Sequence, residues 1–316
     1  MTTTRPPRMQ PSSAVATSSR AVPIFSRLGS ILGMPVIGCV PLYALLGLLL
    51  NIAAWTSSWA RIGPWNYSFF PLWLGFILFL DGLNVARSGT SPAMRSVPRF
   101  AFLFVLSIPC WWLFEFLNIP VQNWVYVFDH NYSWLEYNTV TSIDFSTVLP
   151  AVMEMAELLA SFAILRPRLD PTSPGPRAST PVAILLIALG VVGFTLPWLF
   201  PYYAFGLLWL APTFILDPIN NRARTKSALA HLLTGDWRFF VVLTLAALLC
   251  GFCWETWNFF ALPKWRYDIP LVNAMPHLFE MPVLGYTGYL PFGVELFVLY
   301  QFLLLILGRR KDKLTF

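Results

Sequence analysis

Charge is scarce in this chain. Asp, Glu, Lys and Arg make up 11% of its 316 residues, where a soluble domain carries about 25%. That scarcity excludes an ordinary soluble domain. Disorder is excluded as well, because it needs high charge and low hydrophobicity, whereas 57% of these residues are hydrophobic and the mean hydropathy is +0.62. Cysteine is also sparse. Cys39, Cys110, Cys250 and Cys253 all lie inside apolar runs, so no disulfide is expected, and Cys250-x-x-Cys253 reads as core packing rather than a redox or zinc motif. The sequence has no Walker A loop, no Gly-x-Gly-x-x-Gly after a strand, no Gly-x-Ser-x-Gly and no His-Glu-x-x-His. ATP hydrolysis, dinucleotide redox chemistry and serine or zinc proteolysis are therefore unsupported. The Asp-rich pair of a magnesium-pyrophosphate prenyl transferase is missing too. No cofactor and no metal are expected.

What the chain does have is long apolar runs. A bilayer crossing takes about 20 mostly apolar residues, and barrel strands would instead alternate over about 10. The runs predict an all-α polytopic membrane protein with eight transmembrane helices, near 34–55, 69–86, 99–118, 146–165, 181–199, 202–219, 239–259 and 288–308. The net charge of +6 does not point to nucleic acid, because the basic residues sit in short loops. With the N-terminus inside, 18 of the 21 Lys and Arg residues fall on the inner side, and only Arg61, Lys264 and Arg266 lie outside. That alternation predicts cytoplasmic termini in a bacterial inner membrane. Residues 1–30 are Ser/Thr-rich, basic and without acids, and are expected to be a disordered tail. The run after them has no small-residue cleavage site and reads as a retained helix. A Pro-rich linker at 166–180 separates a first four-helix unit (31–165) from a second (181–308), followed by a basic tail at 309–316.

The two units repeat one pattern. Leu72-Trp73-Leu74 precedes Asp81-x-x-Asn84, as Leu208-Trp209-Leu210 precedes Asp217-x-x-Asn220. Cys110, Glu115 and Asn118 match Cys250, Glu255 and Asn258. Trp124-x-Tyr126 matches Trp265-x-Tyr267, and Leu149-Pro150…Glu154 matches Leu290-Pro291…Glu295. Four helices per unit predict two parallel copies related by a pseudo-two-fold axis along the membrane normal.

The intramembrane acids are the candidate site. Ionisable residues in a bilayer face a bundle interior or a wet cavity, and function is the default reading. Glu115, Glu154, Glu255 and Glu295 are expected in the outer half of the bilayer, with Glu157 deeper on the same face as Glu154. They are the expected proton-donating or cation-stabilising carboxyls, oriented by Asn118 and Asn258. The competing reading is structural: each Glu bonds its neighbouring Asn and glues helices together. Two outer loops of about 25 residues carry Trp124, Tyr126, Tyr132, Trp134 and Tyr137 in one, and Trp265, Tyr267, Phe279 and Tyr286 in the other, with Tyr289 at its edge. They read either as an interfacial aromatic belt or as a lid, with Trp124, Tyr126, Trp265 and Tyr267 covering a lipophilic substrate and their faces favouring positive charge. Asp81/Asn84 and Asp217/Asn220 sit at the opposite helix ends, where they bond freed carbonyls or the neighbouring half, or else line the inner mouth of a pathway. His130 and His277, with Glu136 and Glu280, lack metal-ligand spacing.

Three stretches in each unit, Phe114-Glu115, Trp124-x-Tyr126 and Leu149-Pro150…Glu154, with Trp254-Glu255, Trp265-x-Tyr267 and Leu290-Pro291…Glu295, are similar to the carotenoid lycopene cyclases built from small duplicated membrane domains. Integral-membrane terpene cyclases use related logic. The resemblance implies that acids protonate an isoprenoid double bond and that the carbocation closes a ring without net redox change. The stretch Phe279-Glu280-Met281-Pro282-x-Leu284-Gly285-Tyr286 also resembles uncharacterised bacterial multi-pass membrane proteins. The leading expectation is acid–base isomerisation or cyclisation of a lipophilic isoprenoid. The alternatives are a proton- or cation-coupled transporter using the same glutamates, and a non-catalytic assembly or lipid-binding protein.

Overall fold

The computed structural model describes residues 40–170 and 173–309. The expected basic N-terminal tail, Cys39 and all but Arg309 of the expected C-terminal tail lie outside the described residues. The described chain is built from helices: α1 (Leu42–Ala60), α2 (Phe69–Ser88), α3 (Pro92–Arg95), α4 (Val97–Val121), α5 (Trp134–Phe145), α6 (Val148–Ala160), α7 (Thr180–Leu199), α8 (Pro201–Leu208), α9 (Ala211–Arg222), α10 (Ala228–Leu233), α11 (Trp237–Asn258) and α12 (Tyr289–Ile306). Four short strands complete it: β1 (Trp124–Val127), β2 (Lys264–Tyr267), β3 (His277–Leu278) and β4 (Met281–Pro282). Among the described residues, seven helical segments are long and apolar enough to cross a membrane, with α8 and α9 together counted as one.

Helix ends follow local chemistry. Ser91 and Ser96 accept the N–H of Met94 and Arg99 at the starts of α3 and α4, each with a proline in the first turn, the arrangement that suits the orphan donors of a helix N-terminus. Gly89 closes α2 at φ +71°, a conformation that only glycine adopts without a steric penalty.

Two expected spans come out differently. The run expected at 146–165 holds only α6, of 13 residues, and the stretch before it, expected as loop, is helix α5. At 1.5 Å per residue α6 reaches roughly 20 Å, short of the ~30 Å hydrocarbon thickness. Ser107, midway along α4, holds the joint. Its Oγ donates to Phe145 O (2.5 Å) and accepts from Leu149 N (2.9 Å). The span expected at 202–219 breaks at Trp209–Leu210 into α8 and α9, with Pro212 in the first turn of α9. Pro212 has no N–H to give and its ring crowds the carbonyl four residues back, and the helix breaks there.

The core lies where α6 and α12 meet the rest. α6 packs on α2, α4 and α11, and α12 packs on α9, α11 and α4. Trp73, Ile77, Leu149, Met153, Leu243 and Leu296 are enclosed there. α1 and α7 are peripheral and carry exposed Leu45, Leu46 and Leu49 and exposed Ile184, Leu185 and Leu189, as lipid-facing helices do. The linker at 166–179 (171–172 not described) is pinned to the C-terminal half. Asp236 Oδ2 accepts from Arg168 N and Leu169 N, and Asn221 bonds Pro176 O and Ala178 N.

β1 and β2 form an antiparallel ribbon, with Trp124 opposite Tyr267 and Tyr126 opposite Trp265. It closes one end of the bundle, called here the ribbon end.

α1 and α2 touch through glycines. A Cβ on Gly75 would lie 2.5 Å from Gly47 O and 2.6 Å from Asn51 N, so the two backbones are in contact and no side chain fits between them. Gly75→Leu is expected to destabilise the protein by about 1–3 kcal/mol through forced separation of the helices, read as a lowered melting temperature in detergent. A Leu variant that melts with the wild type would show that the close approach is dispensable.

Candidate functional site

Beneath the ribbon lies a cavity of about 460 Å³, within the ordinary range for small-molecule sites. The ribbon is its roof. Successive strand residues face opposite ways. Trp124, Tyr126, Trp265 and Tyr267 all line the cavity, while Val125 and Arg266 are exposed. Trp111 and Phe114 of α4, Trp254 of α11, Phe292 of α12 and Trp209 between α8 and α9 build the walls. Their rings touch, with Trp111–Phe292 at 6.1 Å, Phe114–Phe292 at 5.3 Å, Trp254–Phe292 at 6.0 Å and Trp124–Trp209 at 5.3 Å. Edge-to-face and offset contacts of this kind fix ring orientations, so the chamber is stiff and mostly apolar.

The roof is tied down from behind by carboxylates and amides. Glu115 Oε1 accepts from Tyr126 OH (2.6 Å), Trp111 Nε1 (2.9 Å) and Trp124 Nε1 (3.2 Å). Glu255 Oε1 accepts from Tyr267 OH (2.6 Å) and Tyr289 OH (2.9 Å). Asn118 and Asn258 do not orient these glutamates, contrary to expectation. Asn118 bonds Trp124 O through Nδ2 and accepts from Asn123 N and Trp124 N, and Asn258 bonds Trp265 O and accepts from Trp265 N. Each amide thus copies a strand's hydrogen-bonding edge and holds its ribbon tryptophan against the helix end.

The four expected carboxyls do not converge. Glu115 and Glu255 stand behind the aromatic layer rather than in the cavity wall. Glu154 belongs to the other end. Asn84 Nδ2 donates to its Oε2 (2.7 Å) and its carbonyl (3.1 Å), and the carboxyl lies beside Asp81. Glu157 is bound by Arg95 through both guanidinium nitrogens (2.6 and 2.8 Å) and plays no part in the chamber. Asp81 and Asp217 bond neither freed carbonyls nor the opposite half. Asp81 accepts from Ala93 N, Ser91 Oγ and Tyr43 OH, and Asp217 from Ala228 N and Leu229 N, so both satisfy the opening turns of short helices.

Glu295 alone of the four reaches the cavity. It is 1% exposed, lies in the wall, and its Oε1 has no hydrogen-bond partner. Leu-Pro…Glu spacing pairs it with Glu154, 141 positions earlier, but the contacts pair differently. Asn84 bonds the carbonyl of Glu154, whereas Asn220, its counterpart, bonds that of Val298. Glu154 and Val298 are 144 apart, so the two last helices are offset by one turn relative to the sequence match, and Glu295 stands about 4.5 Å nearer the ribbon.

Asp144 was not foreseen. It lines the same cavity from the end of α5 and faces the Phe70 N–H at the start of α2. The sequence presented it as a loop acid. Trp111, Trp209, Trp254 and Phe292 were also missed as wall residues, although an aromatic content of 16% was a signal of such a shell. His130, His277, Glu136 and Glu280 do not assemble. His130 bonds Asp129 and Glu136, while Glu280 pairs with Lys264. No group of three metal-binding side chains occurs among the described residues. Comparison with known protein families, curated proteins and solved structures gives no match to this chain.

Beside the chamber, His130, Asp129 and Glu136 form a latch that also takes a hydrogen bond from Tyr67 OH to Glu136 (2.9 Å). Hydrogen bonds to Asp129 and Glu136 raise the His130 pKa, and those from Tyr67 and His130 lower that of Glu136. A raised histidine contributes fully below its unfolded value of about 6.5 and is lost as pH climbs through the folded value. A lowered glutamate contributes above about 4.5 and is lost as pH falls through its folded value. The latch is therefore closed at mildly acid pH. Amide hydrogen exchange over residues 128–137, corrected for intrinsic rate, is expected to rise several-fold between pH 6 and pH 9, and His130→Ala is expected to remove that dependence. A pH-independent protection pattern in the wild type would count against the latch.

Proposed function

We propose that this integral membrane protein holds a lipophilic molecule in the aromatic chamber and carries out acid–base chemistry on it, with Glu295 exchanging the proton. One observation carries the reading: a buried carboxyl oxygen without a partner in the wall of an aromatic cavity. Buried polar groups are normally paired, and an ionised carboxylate alone in such a place is costly. A proton, or positive charge on a ligand, satisfies it. In the cyclase-like form of the reaction the Glu295 carboxyl gives its proton to a carbon–carbon double bond. A neighbouring double bond closes onto the carbocation, and loss of a proton to the carboxylate restores both, giving an isomer. The surrounding ring faces suit the intermediate cation. Glu115, Glu255, Asn118 and Asn258 are positioning residues for Trp124, Tyr126, Trp265 and Tyr267, and Glu154 is outside the reacting set.

We further infer that the two halves are copies in a parallel 4+4 arrangement. The support is fourfold. The ribbon register exchanges Trp124/Tyr126 with Trp265/Tyr267. Asn118 and Asn258 make the same bonds. Asp81 and Asp217 satisfy equivalent helix starts. α6 and α12 also pack on corresponding partners. Arg61, Lys264 and Arg266 are the basic residues at the ribbon end, so the charge rule turns the ribbon outward and both termini toward the cytoplasm of a bacterial cell. A second reading, proton- or cation-coupled transport, draws on Glu154 beside Asp81, whose partner-free Oε1 offers a relay position.

The experiment is lipid extraction and mass spectrometry of cells carrying wild type, Glu295→Gln or Glu154→Gln. The expected result is a product present with wild type, reduced at least 100-fold by Glu295→Gln, and within threefold of wild type in Glu154→Gln. Identical lipid profiles across all three would remove the chemistry. Loss of proton flux in proteoliposomes on Glu154→Gln alone would favour transport.

A further inference from the structure

The chamber has a mouth among the loops, where Phe128, Leu284 and Gly288 are exposed and line it, and a second opening that lies in a membrane-spanning segment. Gly206, in α8, is exposed yet lines the cavity, and a Cβ built on it meets nothing within 4 Å. A residue both exposed and in the wall marks a mouth. Gly206 is five residues along from Pro201, so it sits ~8 Å down the helix from the turn. The surface around it is apolar and aromatic: Leu207 is 42% exposed, and Leu199, Phe200, Tyr202 and Tyr203 are more so. Such a face belongs against hydrocarbon chains rather than water.

Two features hold the mouth open. α8 ends early because of Pro212, and Trp209, at the break, is held aside by its Nε1 bond to Asn123 Oδ1 (3.1 Å) and by its ring contact with Trp124. In the N-terminal half the same sequence pattern has Phe70 where the C-terminal half has Gly206, and α2 runs through without a break. The gap at α8 therefore has no equivalent at α2.

We propose that this gap is the entrance of the site and that Gly206 sets what passes: the ligand is an uncharged, chain-like lipid-soluble molecule that enters sideways from the bilayer. The inference rests on the lipophilic-ligand reading above and adds route and size. At ~30 Å³ per non-hydrogen atom, 460 Å³ encloses roughly 15 atoms. A longer chain fills the chamber with one end and leaves the rest among the lipids.

The test uses the full chain in lipid nanodiscs with a 15-carbon fatty alcohol bearing a terminal diazirine. Photolabelling of the peptides carrying Trp111 and Trp254 is followed against time. Gly206→Leu adds a side chain where space is free, so the fold is kept, and it is expected to lengthen the half-time of labelling at least tenfold. Gly206→Ala should lengthen it far less. Phe205→Ala, which widens the same opening, is expected to shorten it and guards against general damage. Equal half-times in wild type and Gly206→Leu, with prompt labelling in both, would overturn the side entrance while leaving the ligand reading standing. So would slowing by Gly288→Leu at the loop mouth in place of Gly206→Leu. Absence of chamber labelling in the wild type would overturn both.

Discussion

Every polar group that this chain takes out of water has to find its partner inside the protein, because hydrocarbon offers none. The acids show how strictly that constraint operates. Asp81 and Asp217 are spent on the N–H groups that open α3 and α10. Glu157 is matched to Arg95 through a two-point ion pair, the strongest geometry such a pair can adopt. Glu115 and Glu255 collect hydroxyls from ribbon and helix tyrosines. Glu154 Oε1, Glu255 Oε2 and Glu295 Oε1 are left without partners, and of these three residues only Glu295 lies in the cavity wall, where an open buried oxygen marks a place to bind or react.

The roof and the open oxygen of Glu295 are mechanically linked. Trp124 and Trp265, the first residue of β1 and the second of β2, are each fixed by an asparagine at the end of the preceding helix. Tyr126 and Tyr267 are fixed by the glutamates one turn earlier. A four-residue ribbon is marginal by itself, so its position is set by these side-chain bonds more than by its ladder. The result is a rigid aromatic lid held at a constant height above Glu295. Preorganised faces of this kind stabilise charge without reorganising when it appears, as the proposed acid–base reading requires.

Much of this was legible in the chain. Long apolar runs located six of the crossings to within a few residues at most ends, and the repeat of Trp-x-Tyr and Glu…Asn announced the paired loops that became the ribbon. The misses have physical causes. The stretch 134–145 is too polar to register as part of a span, so α5 was read as outer loop and the joint that Ser107 holds before α6 was invisible. Pro212 was in view, but a proline within an apolar run either kinks or ends a helix, and only packing decides which. Glu154 and Glu295 share a sequence spacing yet differ by one turn in contact, because local spacing from a Leu-Pro pair does not report how far a helix slides against its neighbours. That slide moved Glu154 out of the chamber and next to Asn84. Glu157 was misread for a simpler reason: its partner, Arg95, is 62 residues away.

On the reading of the halves as copies, the site depends on where they have ceased to be alike. The one-turn slide places Ala151 at the position that Glu295 occupies in the other half, since both lie 144 apart in the pairing defined by Asn84 and Asn220. A symmetric chamber would present two acids to one ligand. Their mutual repulsion would work against a single ionised carboxyl, and two proton sources would blur the site of attack. Glycine in place of Phe70's counterpart and the proline-induced break after α8 remove symmetry from the wall on the C-terminal side only. The gap at α8 makes the two sides of the cavity unlike, and the carboxyls in its wall are likewise unmatched, Glu295 on α12 and Asp144 at the end of α5. On that reading duplication supplied the enclosure, and divergence in α8 and along α12 made its two sides unlike.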